Sequence, residues 1–353
     1  HVRVLACLPA RGKGAAFRAP ASVLFAGAVS ALRIDGCAAL GARPKSTLVV
    51  IGNFDGVHRG HRAVLASAVE EARSLCLAPV VLTFHPHPVV VLGRGTPSVL
   101  TPIARRVELM GRVSPSLAVV VEPFTRELSE LAAREFVERL LLRDLGAAAV
   151  VVGQNFCFGR GRQGDIGLLG QLGAELGYRA RAHQLEGDAS GAFSSSRVRQ
   201  AIVAGDVAGA AQVLGRPHAI SGRVVRGHAR GRTIGFPTAN LSGVVELAPK
   251  DGVYACLVDR IDGDGARMLG TGVANLGVRP TLGAGASSEV HLLDFDADLY
   301  DAELRIHFVE RLRDEQRFDG LDALVRQIGQ DAARARQLLS SARPDPAANG
   351  AWS

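Results

Sequence analysis

Two histidines three residues apart, His58 and His61, end the string GNFDGVHRGH at Gly52–His61. On a helix that spacing puts both rings on one face. Two imidazoles beside a phosphate can stabilise charge developing on a bridging oxygen, so the pair fits phosphoryl or nucleotidyl transfer. Gly52 and Gly56 let the backbone approach a phosphate closely, and the free amides of a helix start favour anions. Phe54 and Asp55 lie between the glycines. Read blandly, the same string is a glycine turn with two surface histidines.

Three further strings carry donors. FSSSRVR supplies Ser195, Ser196, Arg197 and Arg199, hydroxyl and guanidinium groups suited to phosphate oxygens. A serine run before arginine is also an ordinary helix cap with a solvated charge. VVGQNFCFGRGRQGD offers the Asn155 carboxamide beside Gly159, Gly161 and Gly164, the composition of a ligand loop or of a plain surface loop. GHARGRTIGFPTANL, at 227–241, has Gly231, Arg232 and Gly235 in a pliant turn. Pro237 then stiffens the approach to Thr238 and Asn240, whose oxygens can ligate Mg²⁺. No GxxxxGK[ST] occurs, so a kinase here is not a P-loop kinase. Glu289, in SSEVHLLDF, reads by itself as a solvated strand residue.

These strings need elements to hold them. Apolar runs at 47–51, 79–84, 117–121, 147–152 and 179–184 predict strands. Helical spacing at 61–75, 105–113, 129–142 and 168–176 alternates with them. That alternation predicts a doubly wound parallel sheet, an α/β unit with GNFDGVHRGH at its carboxyl edge, where such sheets bind ligands. Residues 197–214 predict two short helices around Gly205–Asp206. Beyond Pro217 come short strands at 220–226, 252–259, 268–275, 289–295 and 303–311, an all-β antiparallel barrel, closed by a helix over 320–339. The expected division is a disordered extension at 1–45, a first domain at 46–205, a linker at 206–217, a second domain at 218–340 and a disordered tail at 341–353. The extension reads as poorly ordered, or as translated from too far upstream, more readily than as a targeting peptide.

The 353 residues carry a net charge of +7, and all but three of the 41 basic residues are Arg, the exceptions being Lys13, Lys45 and Lys250. The charge forms no basic block and has little aromatic interleaving, which argues against nucleic acid and favours small phosphorylated ligands. No apolar run approaches the roughly 20 residues of a membrane span. Five scattered cysteines without CxxC fit a reducing cytoplasm. A homo-oligomer is compatible with this composition.

The motif set resembles the bacterial bifunctional riboflavin kinase/FMN adenylyltransferase (FAD synthetase) family. GNFDGVHRGH contains the HxGH signature of nucleotidyltransferases. TFHPHP at 83–88, the Asn155 loop and FSSSRVR resemble further motifs of the adenylyltransferase half. The string ending in Pro-Thr-Ala-Asn, and GVANLGVRPT at 272–281, resemble the riboflavin kinase half. The resemblance covers residues 46–335 with the motifs in order.

The resemblance implies a Rossmann-like nucleotidyltransferase domain followed by a Greek-key barrel. It implies phosphorylation of riboflavin to FMN by ATP, then adenylylation of FMN to FAD with release of pyrophosphate, both with Mg²⁺. His58 and His61 would stabilise the transition state of the second step, and Glu289 would be the base of the first. Gly52, Phe54, Asp55, Gly56, Asn155, Ser195, Ser196, Arg197, Arg199, Gly231, Arg232 and Gly235 would contact nucleotide or phosphate. Asn275, Arg279 and Thr281 would contact flavin, and Thr238 and Asn240 would hold the metal.

The family usually carries Asp or Glu where this chain has His85. If that imidazole touches the ATP phosphates, adenylyl transfer would depend on pH through it; read blandly, it caps the strand end and points to solvent. His58, His61, His85 and His87 could instead bind zinc in a hydrolase. The same residues also fit a single-activity nucleotidyltransferase, acting for instance on a pantetheine phosphate, or a degenerate flavin-binding protein.

Overall fold

The structure, a computed structural model, describes residues 31–42, 44–227, 231, 234–263, 265–278, 286–343 and 352. Its first sheet has six strands: Leu32–Asp35 (β1), Thr47–Ile51 (β2), Ala78–His85 (β3), Ala118–Pro123 (β4), Ala147–Gly153 (β5) and Arg179–His183 (β6). All pair in parallel, in the order β1-β4-β3-β2-β5-β6. Every residue of β2 is buried, because helices cover both faces. Leu48 and Val50 point to the face packed by Val64, Leu65, Ala68 and Ala72 of helix Arg59–Ser74. Val49 and Ile51 point to the other, against Val137, Leu140, Leu141 and Leu169. The chain runs from β2 to β3 and β4 on one side, then crosses to β5 and β6. A topological switch point therefore opens between the carboxyl ends of β2 and β5, where ligands of such sheets bind.

Two expectations for this half need correction. The extension expected at 1–45 contains β1, which pairs with β4 from Leu32↔Ala118 to Asp35↔Val121. An edge strand this short, with Arg33 and Asp35 exposed, gives almost no apolar signal. Residues 1–30 lie outside the described residues. The helix expected at 129–142 is broken into Arg126–Ser129, Ala133–Phe136 and a π-helical Val137–Asp144. At the break the Leu131 carbonyl accepts from the Arg160 amide at 2.7 Å. The loop behind Arg160 packs so close that a side chain at Gly159 would meet the Ala133 backbone at 2.8 Å.

A two-stranded hairpin, Gly187–Asp188 (β7) and Gly191–Ala192 (β8), precedes helices Ser195–Ala204 and Val207–Leu214. Six strands then close an antiparallel barrel: His218–Val225 (β9), Ala239–Ser242 (β10), Gly252–Asp262 (β11), Gly265–Val278 (β12), Ala286–Leu292 (β13) and Glu303–Arg313 (β14). Around the barrel the order is β10-β13-β12-β11-β14-β9. The run β14-β11-β12-β13 is a Greek key. Strand β10 is the one the apolar pattern missed, since it consists of the four residues ANLS.

The two short helices expected over 197–214 are present, but the second, Val207–Leu214, is packed rather than part of a free linker at 206–217. Val207, Ala210, Val213 and Leu214 share one buried cluster with Val198 and Ile202 and with Ile220, Tyr254 and Phe308 of the barrel interior. The closing helix Leu321–Leu339 buries Ala332, Ala335 and Leu339 but leaves Leu321 exposed. In the tail expected to be disordered, Trp352 is buried, and its Nε1 donates to the carbonyls of Val258 and Gly270, each at 3.1 Å. Residues 344–351 and 353 lie outside the described residues. Among the described residues no helix is long and apolar enough to cross a membrane.

Candidate active sites

At the switch point the chain leaves β2 into the loop that ends at His58. His58 caps helix Arg59–Ser74, its Nδ1 accepting from the His61 amide at 3.3 Å. The two rings stack with centroids 3.6 Å apart, and the Phe54 ring meets His61 edge-on at 5.1 Å. Burial, and secondarily the charge of Arg216, pushes His58 down to about 4. His61 is pushed well below its ordinary value by burial first, then by His58, Arg106 and Arg216. Both rings are thus neutral at pH 7 and each offers one N–H. His61 Nδ1 is buried without a partner among the described residues.

The loop is strained. Phe54 and Val57 adopt φ of 51° and 41°, a region costly for bulky side chains. Gly56, at φ 89°, adopts it freely, and a side chain there would press on Leu100 and Leu214. Several polar groups brace the turn. The Asp55 carboxylate is buried and accepts from the Leu100 and Thr101 amides. It also pairs with Arg106 and Arg199. Ser195 Oγ donates to the Asp55 carbonyl at 2.8 Å. Arg216 donates to the carbonyls of Gly56 and Val57.

A cavity of about 390 Å³ lies over this loop. Gly52, Phe54, His58, His61, Asn155, Ser195 and Ser196 all line it. A second cavity of about 360 Å³ adjoins it and shares Gly52, Asn155 and Phe156. Its walls are Phe84, Phe124, Phe136, Phe156 and Phe158, an aromatic slot suited to a flat ring system. The aromatic positions come from four separate segments; Phe84, Phe156 and Phe158 fall within quoted motifs, but Phe124 and Phe136 do not, and no single string showed the slot.

Not every expected contact faces the cavities. Asp55, Gly56, Arg197 and Arg199 line neither. Arg197 is paired with Asp188 of the β7–β8 hairpin at 2.8 and 2.9 Å. Arg199 holds the Ser98 carbonyl at 2.8 Å as well as Asp55. In this structure Asp55 and Arg199 brace the loop, while Arg197 is held by the hairpin. His85 is exposed at the end of β3 and lines neither cavity. His87 lines the aromatic cavity, and its Nε2 lies 3.1 Å from the Asn53 carboxamide. Among the described residues no three His, Cys, Asp or Glu side chains converge as metal ligands.

The second candidate site is a row on the outside of the barrel. Glu289 on β13 is directly opposite Asn240 on β10 and Asn275 on β12. Their neighbours Ala239, Leu241, Val290, Ala274 and Leu276 fill the interior, so the three polar side chains face outward together. Thr238, two residues before Asn240, is exposed. Ser287 Oγ donates to the Glu289 carboxylate at 3.2 Å. The turn before β10 folds on Gly231, whose carbonyl accepts from the Phe236 amide at 2.8 Å, and a side chain there would collide with the Phe236 carbonyl. Gly235 sits at φ 85°. Arg232, Arg279 and Thr281 lie outside the described residues.

The family model for FAD synthetase matches residues 41–197, and that for riboflavin kinase matches residues 214–339. A bifunctional riboflavin kinase/FMN adenylyltransferase of Escherichia coli (strain K12) is 39% identical over 305 residues, covering 86% of this chain and 96% of its own. The chain belongs to the bifunctional riboflavin kinase/FMN adenylyltransferase family. The protein of that name from Pseudomonas fluorescens is 40% identical over 84% of this chain and 94% of its own. That from Bacillus subtilis (strain 168) is 33% identical over 84% and 94%. A crystal structure of a macrolide-efflux protein from Streptococcus pneumoniae superposes with a TM-score of 0.75 at 30% identity, covering 86% of this chain and 99% of that one. The two matched halves of the bifunctional family coincide with the sheet and the barrel.

Proposed function

We propose that the chain makes FMN and then FAD, using ATP in both steps. What carries the reading is the pairing, on one chain, of the FAD synthetase match around the His58–His61 cavity with the riboflavin kinase match around the Asn240–Glu289–Asn275 row.

On the barrel, the flavin 5′-hydroxyl would attack the γ-phosphorus of ATP as Glu289 takes its proton, and ADP would leave. The Ser287 hydroxyl steadies the carboxylate for that role. Asn275 would contact the flavin, as would Arg279 and Thr281. Asn240, opposite Glu289 on β10, and Thr238, just before that strand, offer a carboxamide and a hydroxyl oxygen, the ligand type Mg²⁺ prefers. When bound with the nucleotide, Mg²⁺ would neutralise phosphate charge.

On the sheet, an FMN phosphate oxygen would attack the α-phosphorus of a second ATP and pyrophosphate would leave. The adenine nucleotide would occupy the His58–His61 cavity and the flavin ring the aromatic slot, with Asn155 between them. His58 and His61 would donate N–H groups to the oxygens on which charge accumulates. Cys37, Cys76, Cys157 and Cys256 are unpaired thiols, in keeping with a reducing cytoplasm.

The test is to incubate the full chain with riboflavin, ATP and Mg²⁺ and resolve the flavins chromatographically. FMN appearing first and FAD following is the expected result. FMN without FAD would reduce the reading to a kinase. Conversion of supplied FMN without phosphorylation of riboflavin would reduce it to a nucleotidyltransferase.

A further inference from the structure

We propose that Arg216 is a positioning residue for adenylyl transfer, tying the His58–His61 loop to the docked barrel. The inference rests on the adenylyl-transfer reading of that loop. Arg216 follows helix Val207–Leu214 and stands two residues before β9, the strand that opens the barrel. It belongs to the segment matched by the riboflavin kinase model, which begins at 214, whereas the FAD synthetase match ends at 197. Its guanidinium nevertheless reaches into the other half. Nη2 donates to the Gly56 carbonyl at 2.6 Å and Nη1 to the Val57 carbonyl at 3.1 Å.

Those two carbonyls belong to the strained part of the loop. Gly56 and Val57 both sit at positive φ, and the next residue is His58. A loop in costly conformations persists only where its surroundings over-determine it. The planar fork of an arginine can hold two adjacent carbonyls at once, and a lysine ammonium cannot reproduce that. Arg216 lines neither large cavity at the switch point, so its action on the reaction passes through the loop.

Its charge also bears on the histidines. His58 is faced by His61 from its own helix and by Arg216 from the junction. His61 is faced in addition by Arg106 from helix Ile103–Val113. A fixed cation at Arg216 favours neutral rings, the state in which His58 can accept the His61 amide at its Nδ1. Arg216 thus holds the loop's geometry from the barrel side of the chain and adds to the burial that keeps the rings neutral.

The experiment compares full-length wild type, Arg216→Lys and Arg216→Met. FMN formation and FAD formation from supplied FMN are measured separately, and the His58 ring is titrated by NMR. Wild type must first make FAD; if it does not, the adenylyl-transfer reading fails and the titration alone still tests the contact. In Arg216→Met, kcat for FAD formation should fall at least tenfold with KM for ATP within about twofold of wild type. Its His58 should titrate closer to the ordinary imidazole range. Arg216→Lys should keep His58 low yet recover only part of kcat. FMN formation should stay within twofold throughout. A parallel loss of both activities would overturn the proposal by making Arg216 a general fold residue. An unchanged His58 titration with unchanged FAD kcat in Arg216→Met would overturn it outright.

Discussion

The rings of His58 and His61 lie face to face, 3.6 Å apart and 20° from parallel, with the His58 Nδ1 accepting from the His61 amide. Two charged imidazoles would repel at that separation. The contact holds because burial keeps both rings neutral. Their roles are therefore unequal: His58 has one nitrogen engaged with the helix start, while His61 presents a buried nitrogen with no partner among the described residues.

His61→Ala should accordingly abolish most FAD formation. Loss of one transition-state donor costs on the order of 100-fold or more in rate. FMN formation should be nearly intact, because the Asn240–Glu289–Asn275 row lies on the barrel. Separate assays with riboflavin and with FMN check this, and an equal fall in both would contradict the two-site arrangement.

Glu289→Gln should give the converse phenotype. The carboxamide keeps the shape of the side chain and its place opposite Asn240 and Asn275, but it is not basic. Riboflavin phosphorylation should drop by about 100-fold or more, within the usual range for a lost general base. Supplied FMN should still become FAD. Retained phosphorylation would remove Glu289 from the base role.

Much of this was legible in the chain. TLVVI, buried on both faces, announced the central strand, and GNFDGVHRGH placed its loop at the strand's end. What was not legible depends on long-range partners. Asp55 and Arg199, 144 residues apart, look like ligand contacts until their mutual pairing is seen. The aromatic slot gathers Phe84, Phe124, Phe136 and Phe156 from separate elements. Arg216 sits in a Gly-Arg-Pro string that reads as a linker, and only the tertiary fold brings it to the Gly56 carbonyl. Strand β10 escaped because ANLS has no apolar run, although the same four residues carry the Asn240 position.

His85 should have no part in the pH dependence of adenylyl transfer. It is exposed and lines neither cavity, whereas His87 lines the aromatic one beside Asn53. His85→Asp should leave rate against pH and against Mg²⁺ superimposable on wild type. His87→Ala should raise KM for FMN several-fold, in line with about 1 kcal/mol for one lost hydrogen bond. A changed profile in His85→Asp would restore a role for that position.

Stability should fall on mild acidification. His218 and His307 are buried and pushed down to about 4, chiefly by burial. Between about 6.5, the unfolded value, and 4, the unfolded chain binds protons that the folded chain does not. Each such group thus contributes stability that is fully present above 6.5 and lost progressively as pH falls toward 4. The loss is on the order of 3 kcal/mol per histidine over that window. Urea unfolding of wild type between pH 7.5 and 4.5 should show this decline. His218→Gln should flatten it, and equal slopes would count against the assignment.

The last prediction concerns where the barrel can be cut. The sequence pattern predicts a linker at 206–217, and on that basis a fragment starting near residue 216 would be a self-contained kinase. The structure gives a different boundary. Val207, Ala210, Val213 and Leu214 are buried with Ile220, Tyr254 and Phe308, and Val198 and Ile202 extend the same cluster. Cutting at 216 removes these side chains and uncovers the barrel residues they pack on. A fully buried Val or Leu contributes about 1.5–3 kcal/mol, so the loss approaches the whole stability of a domain, about 5–15 kcal/mol. A fragment beginning at Ser194 retains both helices and the Ser194 cap on the first. Residues 194–353 should therefore be soluble, unfold cooperatively and phosphorylate riboflavin. Residues 216–353 should aggregate or unfold at much lower denaturant. Solubility, urea midpoints and FMN formation for the two fragments decide it, and equal midpoints would mean that the helix pair adds nothing to the barrel.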